Sequence, residues 1–226
     1  MTAGAMSWTR RGATARNRFG ARPGKRVFDA ALAVLLLCVL APLLLVVMLL
    51  VRLTTPGHAV FRQTRIGRHG RPFIMYKFRT MRVDATDEIH RAYVVRLLTE
   101  DNPPVGGARG LYKVEADPRI TRVGHFLRRT SIDELPQLVN VIRGQMSLVG
   151  PRPALPWEAE LFPAHYAARF LVRPGVTGLW QVSGRNRLSM RAGLDLDLHY
   201  VHRQSFKVDV TILVKTVLAV FKADAS

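Results

Sequence analysis

Two adjacent carboxylates, Asp133 and Glu134, lie in the segment richest in groups that could do chemistry, FLRRTSIDELPQLVNVIRGQMSLVGPRP. Apolar residues at helical spacing follow them, which places Asp133 at or just before a helix N-terminus, beside Arg128 and Arg129. The helix dipole and the cations favour the ionised carboxylate. An ionised Asp133 could act as a nucleophile or hold a divalent cation, and Glu134 could share either task. A structural alternative for Glu134 is a capping box with Ser131.

Cations recur on a predicted strand and on tight turns, where they could bind phosphate groups. Alternation along the strand puts Lys77 and Arg79 on one face, bordered by aromatic side chains, and such a pair could hold a diphosphate. The rigid GPRP turn presents Arg152, and the segment RPGVTGLWQVSGRN adds Arg173 and Arg185. The plainer alternatives are a solvated strand face and, for the tryptophan of this segment, a place in the core instead of stacking on a base.

Short elements of mixed type must position these groups. Residues 58–81 predict two strands joined by a glycine-containing turn at 66–71. Residues 84–118 predict a polar helix followed by a loop, EDNPPVGGARG. The glycines of this loop lack the spacing of a phosphate-binding loop, so we interpret the segment as a mobile insertion. The pattern over 206–222 predicts an amphipathic helix that either lies in a membrane interface or packs on the domain's own core.

An apolar run of membrane-spanning length, AALAVLLLCVLAPLLLVVMLLV at residues 30–51, carries no charge. Its length alone favours an ordinary spanning helix. Basic residues crowd both ends, however, so a straight span would leave one basic cluster outside the cytoplasm. Pro42 removes one backbone hydrogen bond at the middle of the run and bends the helix there. We therefore predict a re-entrant membrane helix over residues 25–53, broken at Pro42, with both flanks in the cytoplasm.

Composition limits the class of protein and of partner. A chain of 226 residues, 48% of them hydrophobic, suits one domain with a core, which we place at residues 25–226. Residues 1–24 contain five arginines and no acidic residue and predict a flexible basic arm. A net charge of +18 favours polyanionic partners, and the single cysteine, Cys38, excludes an intramolecular disulfide. The charge alone also fits a non-catalytic basic membrane protein that binds anionic lipid or nucleic acid.

The motifs KRVFD, YKFRTM, RRTSIDELPQLVNVIRGQMSLVGPRP and RPGVTGLWQVSGRN, in this order, resemble the bacterial sugar transferases, which are monotopic polyprenyl-phosphate phosphoglycosyl transferases. The resemblance runs from about residue 25 almost to the C-terminus and suggests the minimal catalytic form. It implies an α+β, mostly helical fold with a re-entrant membrane helix, a small β-hairpin and interfacial amphipathic helices around a catalytic domain. The implied location is the bacterial inner (cytoplasmic) membrane, with the catalytic domain on the cytoplasmic face.

The resemblance further implies transfer of a sugar-1-phosphate from a UDP-sugar to undecaprenyl phosphate with Mg²⁺ and release of UMP, a first membrane step of exopolysaccharide or glycoconjugate synthesis. It makes Asp133 the nucleophile of a covalent aspartyl phosphosugar and Glu134 its assistant, and both are candidate metal ligands. The residues at matching family positions are candidates for substrate binding: Lys77, Arg79, Arg128, Arg152, Arg173, Arg185 and Asp197. The expected partners are the UDP-sugar, undecaprenyl phosphate and anionic membrane lipid, with no nucleic acid, and a homodimer is allowed.

Two residues depart from the family's pattern. Ala41 stands where the family commonly has Ser before the membrane proline, which removes a hydroxyl able to satisfy a freed carbonyl and leaves the bend angle open. Gln145 replaces the Asp of a segment usually written GDMS, so the charge role of that position is absent. Neither departure touches Asp133 or Glu134.

Overall fold

The computed structural model describes residues 23–82, 91, 95, 119–184 and 188–224. These residues form the predicted mostly helical fold with a small hairpin sheet, and a second two-stranded sheet that was not predicted. In chain order the elements are α1 (Pro23–Thr54), β1 (Val60–Ile66), β2 (Pro72–Phe78), α2 (Arg122–Thr130), α3 (Gln137–Ile142), β3 (Ser147–Val149), α4 (Pro156–Leu161), β4 (Gly175–Thr177), α5 (Leu179–Ser183), α6 (Met190–Arg203) and α7 (Phe206–Asp224). Nearly all of the predicted basic arm and of the predicted insertion, together with Arg185, lie outside the described residues.

The apolar run forms α1, a helix of 32 residues with Pro42 inside it. Helical structure continues through Pro42, so the predicted break does not interrupt the helix. A proline removes one hydrogen bond and bends a helix without having to end it. Only 11% of the most apolar 18-residue stretch of α1 is buried, and its length and composition suffice for a membrane segment.

Both ends of α1 pack on the same domain. Ala33 joins the main hydrophobic core, whose other members come from β2, α3, β3, α6, α7 and the turn before β3. Val47 and Val51 pack with Phe78 and Leu127 in a second cluster. The apolar helix is therefore anchored to the domain near its beginning and again near its end.

The predicted hairpin is confirmed. β1 and β2 pair antiparallel over seven residues each, and Ile66 lies opposite Pro72 next to the turn. The turn contains Gly70 at a φ of 71°, a left-handed conformation that glycine adopts without a Cβ clash. Because the register sets Phe61 opposite Lys77, the side chains of both residues lie on one face of the hairpin.

Two proline-containing turns, GPRP and RPGV, pack backbone against backbone beside the parallel strands β3 and β4. The Gly150 N–H donates to the Thr177 carbonyl and the Gly175 N–H to the Pro151 carbonyl, both at 2.9 Å. A Cβ atom on Gly175 would lie 2.1 Å from the Gly150 nitrogen, so only glycine permits this approach. This pairing, which joins residues far apart in the chain, was not predicted.

The predicted C-terminal amphipathic helix is α7. Its inner side is anchored by Asp209 and Ile212, which are 3% and 1% exposed. Val214 and Val217, on the predicted apolar face, are instead more than half exposed. α7 therefore packs on the core with one side and presents an apolar surface with another, a pattern typical of a helix that lies at a membrane surface.

Candidate active site

Asp133 lies in a single 3₁₀ turn, Ile132–Glu134, between α2 and α3. Ser131, the residue before this turn, has a φ of 57°. Its N–H donates to the Arg128 carbonyl, and this hydrogen bond ends α2. The alternative of a capping box between Ser131 and Glu134 is wrong, because Ser131 in this conformation makes no side-chain cap and ends one helix instead of starting the next. Capping is therefore not the task of Glu134. The Asp133 side chain is buried.

Lys77, on strand β2 of the hairpin, lies close enough to Asp133 to interact with it electrostatically. Its Nζ lies 5.2 Å from the centroid of the Phe61 ring opposite. Burial, which is the largest effect, and the nearby arginines together lower the pKa of Lys77 to about 8, against the opposing attraction of Asp133. The arginines that act on Lys77 are Arg65, Arg128 and Arg152. The structure thus brings four predicted residues, Lys77, Arg128, Asp133 and Arg152, into one electrostatic cluster, which we call the Asp133 cluster.

Arg128 is held by Thr80, two residues after the end of β2. Its Nε donates a 2.8 Å hydrogen bond to the Thr80 hydroxyl, and the Thr121 N–H donates to the Thr80 carbonyl at 3.0 Å. Gly124 lets α2 come this close, because a Cβ atom there would lie 2.1 Å from the Thr80 carbonyl oxygen. Close packing of α2 on Thr80 therefore sets the position of Arg128 beside the Asp133 turn.

Arg152 is held through its backbone by a buried ion pair. One Nη of Arg169 donates both to the Asp197 carboxylate, at 2.6 Å, and to the Arg152 carbonyl, at 2.7 Å. Phe162 and Phe170 lie 4.9 and 5.4 Å from this guanidinium. Burial raises the pKa of Asp197, and the charge of Arg169 opposes that rise. Asp197 is 1% exposed. It is linked to the Asp133 cluster by Arg169, which binds both the Asp197 carboxylate and the Arg152 backbone carbonyl.

Two other predicted substrate-binding residues lie elsewhere. Arg79 donates to the Pro56 carbonyl at 2.6 Å, near the end of α1. Arg173 donates to the Gly144 carbonyl at 2.8 Å and is repelled by Arg68, in the hairpin turn, and by Arg26, at the beginning of α1. The two proline-containing turns therefore send their arginines to different clusters, although they look alike in sequence.

Comparison with known proteins decides the family. The profile of the bacterial sugar transferases matches residues 20–223. The chain is 44% identical over 199 residues to the exopolysaccharide production protein ExoY of Sinorhizobium fredii, covering 87% of this chain and 84% of that one. It is 42% identical over 204 residues to the UDP-galactose-lipid carrier transferase of Erwinia amylovora, covering 89% of this chain and 41% of that protein. It is 42% identical over 208 residues to the UDP-glucose:undecaprenyl-phosphate glucose-1-phosphate transferase of Caulobacter vibrioides, covering 88% and 70%.

The chain belongs to the bacterial sugar transferase family. This membership confirms the predicted resemblance and the prediction of a phosphoglycosyl transferase, and it decides against the non-catalytic alternative. With its exposed apolar helix α1, this sugar transferase is a membrane-associated protein.

Sequence reasoning missed two arginines that shape the site of this sugar transferase. Arg65 is 6% exposed, donates to the Pro153 carbonyl at 3.0 Å and lies 3.8 Å from Glu158. Period-two alternation puts it on the Lys77 face of the hairpin, which was a usable signal once the register was known. Arg169 had no local signal, because its partner Asp197 lies 28 residues away.

The tryptophan that could have stacked on a base is part of the core of this sugar transferase. Trp180 is 6% exposed and packs against α6, where a Cβ atom on Gly193 would lie 2.5 Å from the indole ring. No group of three His, Cys, Asp or Glu side chains within 23–82, 119–184 and 188–224 is arranged to hold a metal ion.

Proposed function

We propose that this protein transfers a sugar-1-phosphate from a UDP-sugar to undecaprenyl phosphate, as a membrane step of exopolysaccharide or glycoconjugate synthesis. The names of the Erwinia and Caulobacter relatives support both the nucleotide-sugar donor and the lipid acceptor. The observation that carries the proposal is the buried Asp133, which acts on the same lysine, Lys77, as the cations Arg128 and Arg152. Cations around a carboxylate attract a diphosphate to that carboxylate and stabilise charge on the departing phosphate.

The chemistry proceeds in two steps. In the first, an Asp133 oxygen attacks the β-phosphorus of the UDP-sugar, the new O–P bond forms, and the bond from phosphorus to the bridging oxygen breaks. UMP leaves with that electron pair. In the second, a phosphate oxygen of undecaprenyl phosphate attacks the same phosphorus and the aspartyl O–P bond breaks. The products are undecaprenyl-diphosphate-sugar and the free Asp133 carboxylate.

Glu134 and Mg²⁺ have supporting roles in this proposal. Mg²⁺ in phosphoryl-transfer sites is commonly held by one or two carboxylates together with substrate phosphates, and Asp133 and Glu134 offer that donor set. The surrounding cations fit an ion that enters with the diphosphate and not one resident in the free protein. When bound, Mg²⁺ would neutralise charge on the phosphates. Glu134 would hold it or transfer a proton.

The cleanest test of the activity replaces Asp133 by Asn, which keeps the side-chain size and removes the charged nucleophile. Membranes containing Asp133→Asn should release no UMP from a panel of UDP-sugars that includes UDP-glucose and UDP-galactose. Glu160→Gln, an exposed carboxylate on α4, is the matched control and should keep wild-type turnover. UMP release by Asp133→Asn at the wild-type rate would refute the assignment of the nucleophile.

The proposal includes a re-entrant course for α1 with both flanks in the cytoplasm. Ala33 and Val51 would be about 27 Å apart on a straight helix. The clusters they join also contain Met75 and Phe78, which are only about 10 Å apart along β2. A bend at Pro42 would bring Ala33 and Val51 closer together, toward the shorter separation of Met75 and Phe78. This comparison supports a re-entrant helix.

Epitope tags at the two ends of the chain test this topology. In spheroplasts treated with an impermeant protease, both tags should be protected, because both termini are expected in the cytoplasm. Pro42→Ala, which restores the missing hydrogen bond, should shift part of the N-terminal tag to the cleaved fraction. Cleavage of the N-terminal tag in the wild-type protein would contradict re-entry.

A further inference from the structure

A buried side chain on α3, Asn140, is hydrogen-bonded to the strand that carries Lys77. Its Nδ2 donates to the Ile74 carbonyl at 2.7 Å, and its Oδ1 accepts from the Tyr76 N–H at 3.1 Å. Among the described residues, β1 is the only strand that pairs with β2. The Asn140 carboxamide therefore occupies the edge of β2 that faces away from β1, and it bonds there as a neighbouring strand would.

Gln145 fixes the orientation of this carboxamide. Its Oε1 accepts a second hydrogen bond from the Asn140 Nδ2, at 2.8 Å. The N–H groups of Gln145 and Met146 also donate to the Asn140 backbone carbonyl, at 3.0 and 3.2 Å. A carboxamide turned by 180° would place its oxygen against the oxygens of Ile74 and Gln145, so only one orientation satisfies all of these groups.

The hydrogen bond from Asn140 needs an acceptor at position 145 and does not need a charge there. Gln145 departs from the Asp of the family's pattern, but its side chain keeps an oxygen acceptor. Asn140 is 0% exposed, and a buried amide group that loses a hydrogen-bond partner is costly. The departure at position 145 is therefore compatible with an intact Asn140 contact.

Asn140 connects two segments of the Asp133 cluster. α3 begins at Gln137, four residues after Asp133, and Asn140 lies on this helix. Lys77 follows Tyr76 directly on β2, and Asp133 acts on it electrostatically. The carboxamide thus joins the segment that carries the carboxylate to the residues just before the lysine.

Apolar packing alone would not fix this arrangement. Leu138 and Val141 of α3 pack with Met75 of β2 in the main hydrophobic core. Such packing holds α3 against the strand, but the hydrophobic effect has no direction. Two hydrogen bonds of defined geometry, to Ile74 and Tyr76, fix where α3 sits along β2.

We propose that Asn140, oriented by Gln145, is a positioning residue that holds Lys77 in place relative to Asp133 for transfer of the sugar phosphate. The inference rests on the proposed function, in which these two side chains act on the same diphosphate. Asn140 is fully buried and bonded to protein groups, so it acts through β2 and not on the substrate. Misplacing a catalytic group by about 1 Å can slow a reaction about 100-fold, so a small shift of β2 would be measurable.

Rates of UMP release by the purified full chain, with a UDP-sugar that the wild-type protein uses, test this role. Asn140→Ala removes both hydrogen bonds to β2 and should lower kcat/KM about 30-fold. Gln145→Met removes only the acceptor that orients the carboxamide and should lower kcat/KM about fivefold. Gln145→Glu keeps an acceptor and should stay within about twofold of the wild-type value.

The matched control is Arg143→Gln, at the end of the same helix. Arg143 is exposed and donates to the Tyr76 hydroxyl at 2.7 Å, so this variant removes a contact between α3 and β2 without touching the strand edge. An exposed hydrogen bond contributes little, so kcat/KM should stay within about twofold of wild type. Circular dichroism melting shows whether each variant is folded at the assay temperature.

Hydrogen exchange followed by mass spectrometry measures the contact without any activity. Peptides that cover residues 73–78 should exchange faster in Asn140→Ala than in the wild-type protein, because the Tyr76 N–H loses its acceptor. Peptides from α6 should exchange at the wild-type rate. Gln145→Met should give a smaller increase, again confined to residues 73–78.

Faster exchange at residues 73–78 in folded Asn140→Ala, with kcat/KM within about twofold of wild type, would overturn the proposal and leave Asn140 a structural role only. Unchanged exchange there would also overturn it, as would equal losses of kcat/KM in Gln145→Met and Gln145→Glu. Should Asn140→Ala not fold, the comparison of the two Gln145 variants decides. A wild-type protein that releases no UMP from any UDP-sugar would refute the proposed function, while hydrogen exchange would still show whether Asn140 holds β2.

Discussion

The lowered pKa of Lys77 predicts that recognition of the nucleotide sugar weakens at alkaline pH. In the free protein this pKa is about 8, because burial and the neighbouring arginines disfavour the ammonium form. Below pH 8 Lys77 is mostly charged and available for a phosphate, and above pH 8 it is mostly neutral. If the charged form is required, kcat/KM should fall about 30-fold between pH 7 and pH 9.5. The fall should approach tenfold for each pH unit at the alkaline end.

Initial rates of UMP release at low UDP-sugar concentration measure this dependence, since kcat/KM reports the pKa of the free enzyme. A bound diphosphate stabilises the ammonium ion, so the kcat profile should turn down at a higher pH. Lys77→Arg is the informative variant, because a guanidinium stays charged throughout this range, and its kcat/KM should be nearly flat to pH 9.5. The same fall in Lys77→Arg as in wild type would refute the role given to Lys77.

Two further predictions concern the packing that holds the cations in place. Gly124→Ala should lower the melting temperature and reduce turnover, because its Cβ atom would lie 2.1 Å from the Thr80 carbonyl oxygen. The control Gly24→Ala, whose Cβ atom would have no heavy atom within 4 Å, should change neither. Equal melting temperatures for the two variants would contradict the close packing of α2 on Thr80. Asp197→Asn should lower the free energy of unfolding, measured by chemical denaturation, by about 3 kcal/mol, because it leaves the Arg169 guanidinium buried without its counter-charge. A loss below about 1 kcal/mol would show that the Arg169–Asp197 ion pair does not hold the GPRP turn.

The elements that the sequence predicted well are those set by local patterns. Period-two alternation and a glycine-containing turn predict the hairpin, and the long uncharged run predicts α1. Adjacency in sequence likewise places Arg128 near Asp133. The capping-box alternative is wrong because Ser131 and Glu134 have its spacing but Ser131 adopts the left-handed conformation that ends α2. Spacing alone does not distinguish the end of one helix from the beginning of the next.

Long-range packing decided the rest of the site. Arg152 and Arg173 both occur in proline-containing turns, and nothing local separates their roles. The close approach of Gly150 to Gly175 sets the two turns back to back, so that one arginine acts on Lys77 and the other meets Arg26 and Arg68. Such a contact depends on where β3 and β4 pair, which no local pattern reveals.

In the proposed mechanism, Asp133 becomes covalently attached to the sugar phosphate before the lipid acceptor reacts. The direct measurement incubates the purified protein with a UDP-sugar labelled at the β-phosphorus, without undecaprenyl phosphate, and quenches within seconds in acid. We expect a burst of UMP close to one equivalent and label on the peptide that contains Asp133, discharged when undecaprenyl phosphate is added. No UMP before the acceptor is added, and no labelled peptide, would contradict the account and indicate direct transfer in a ternary complex.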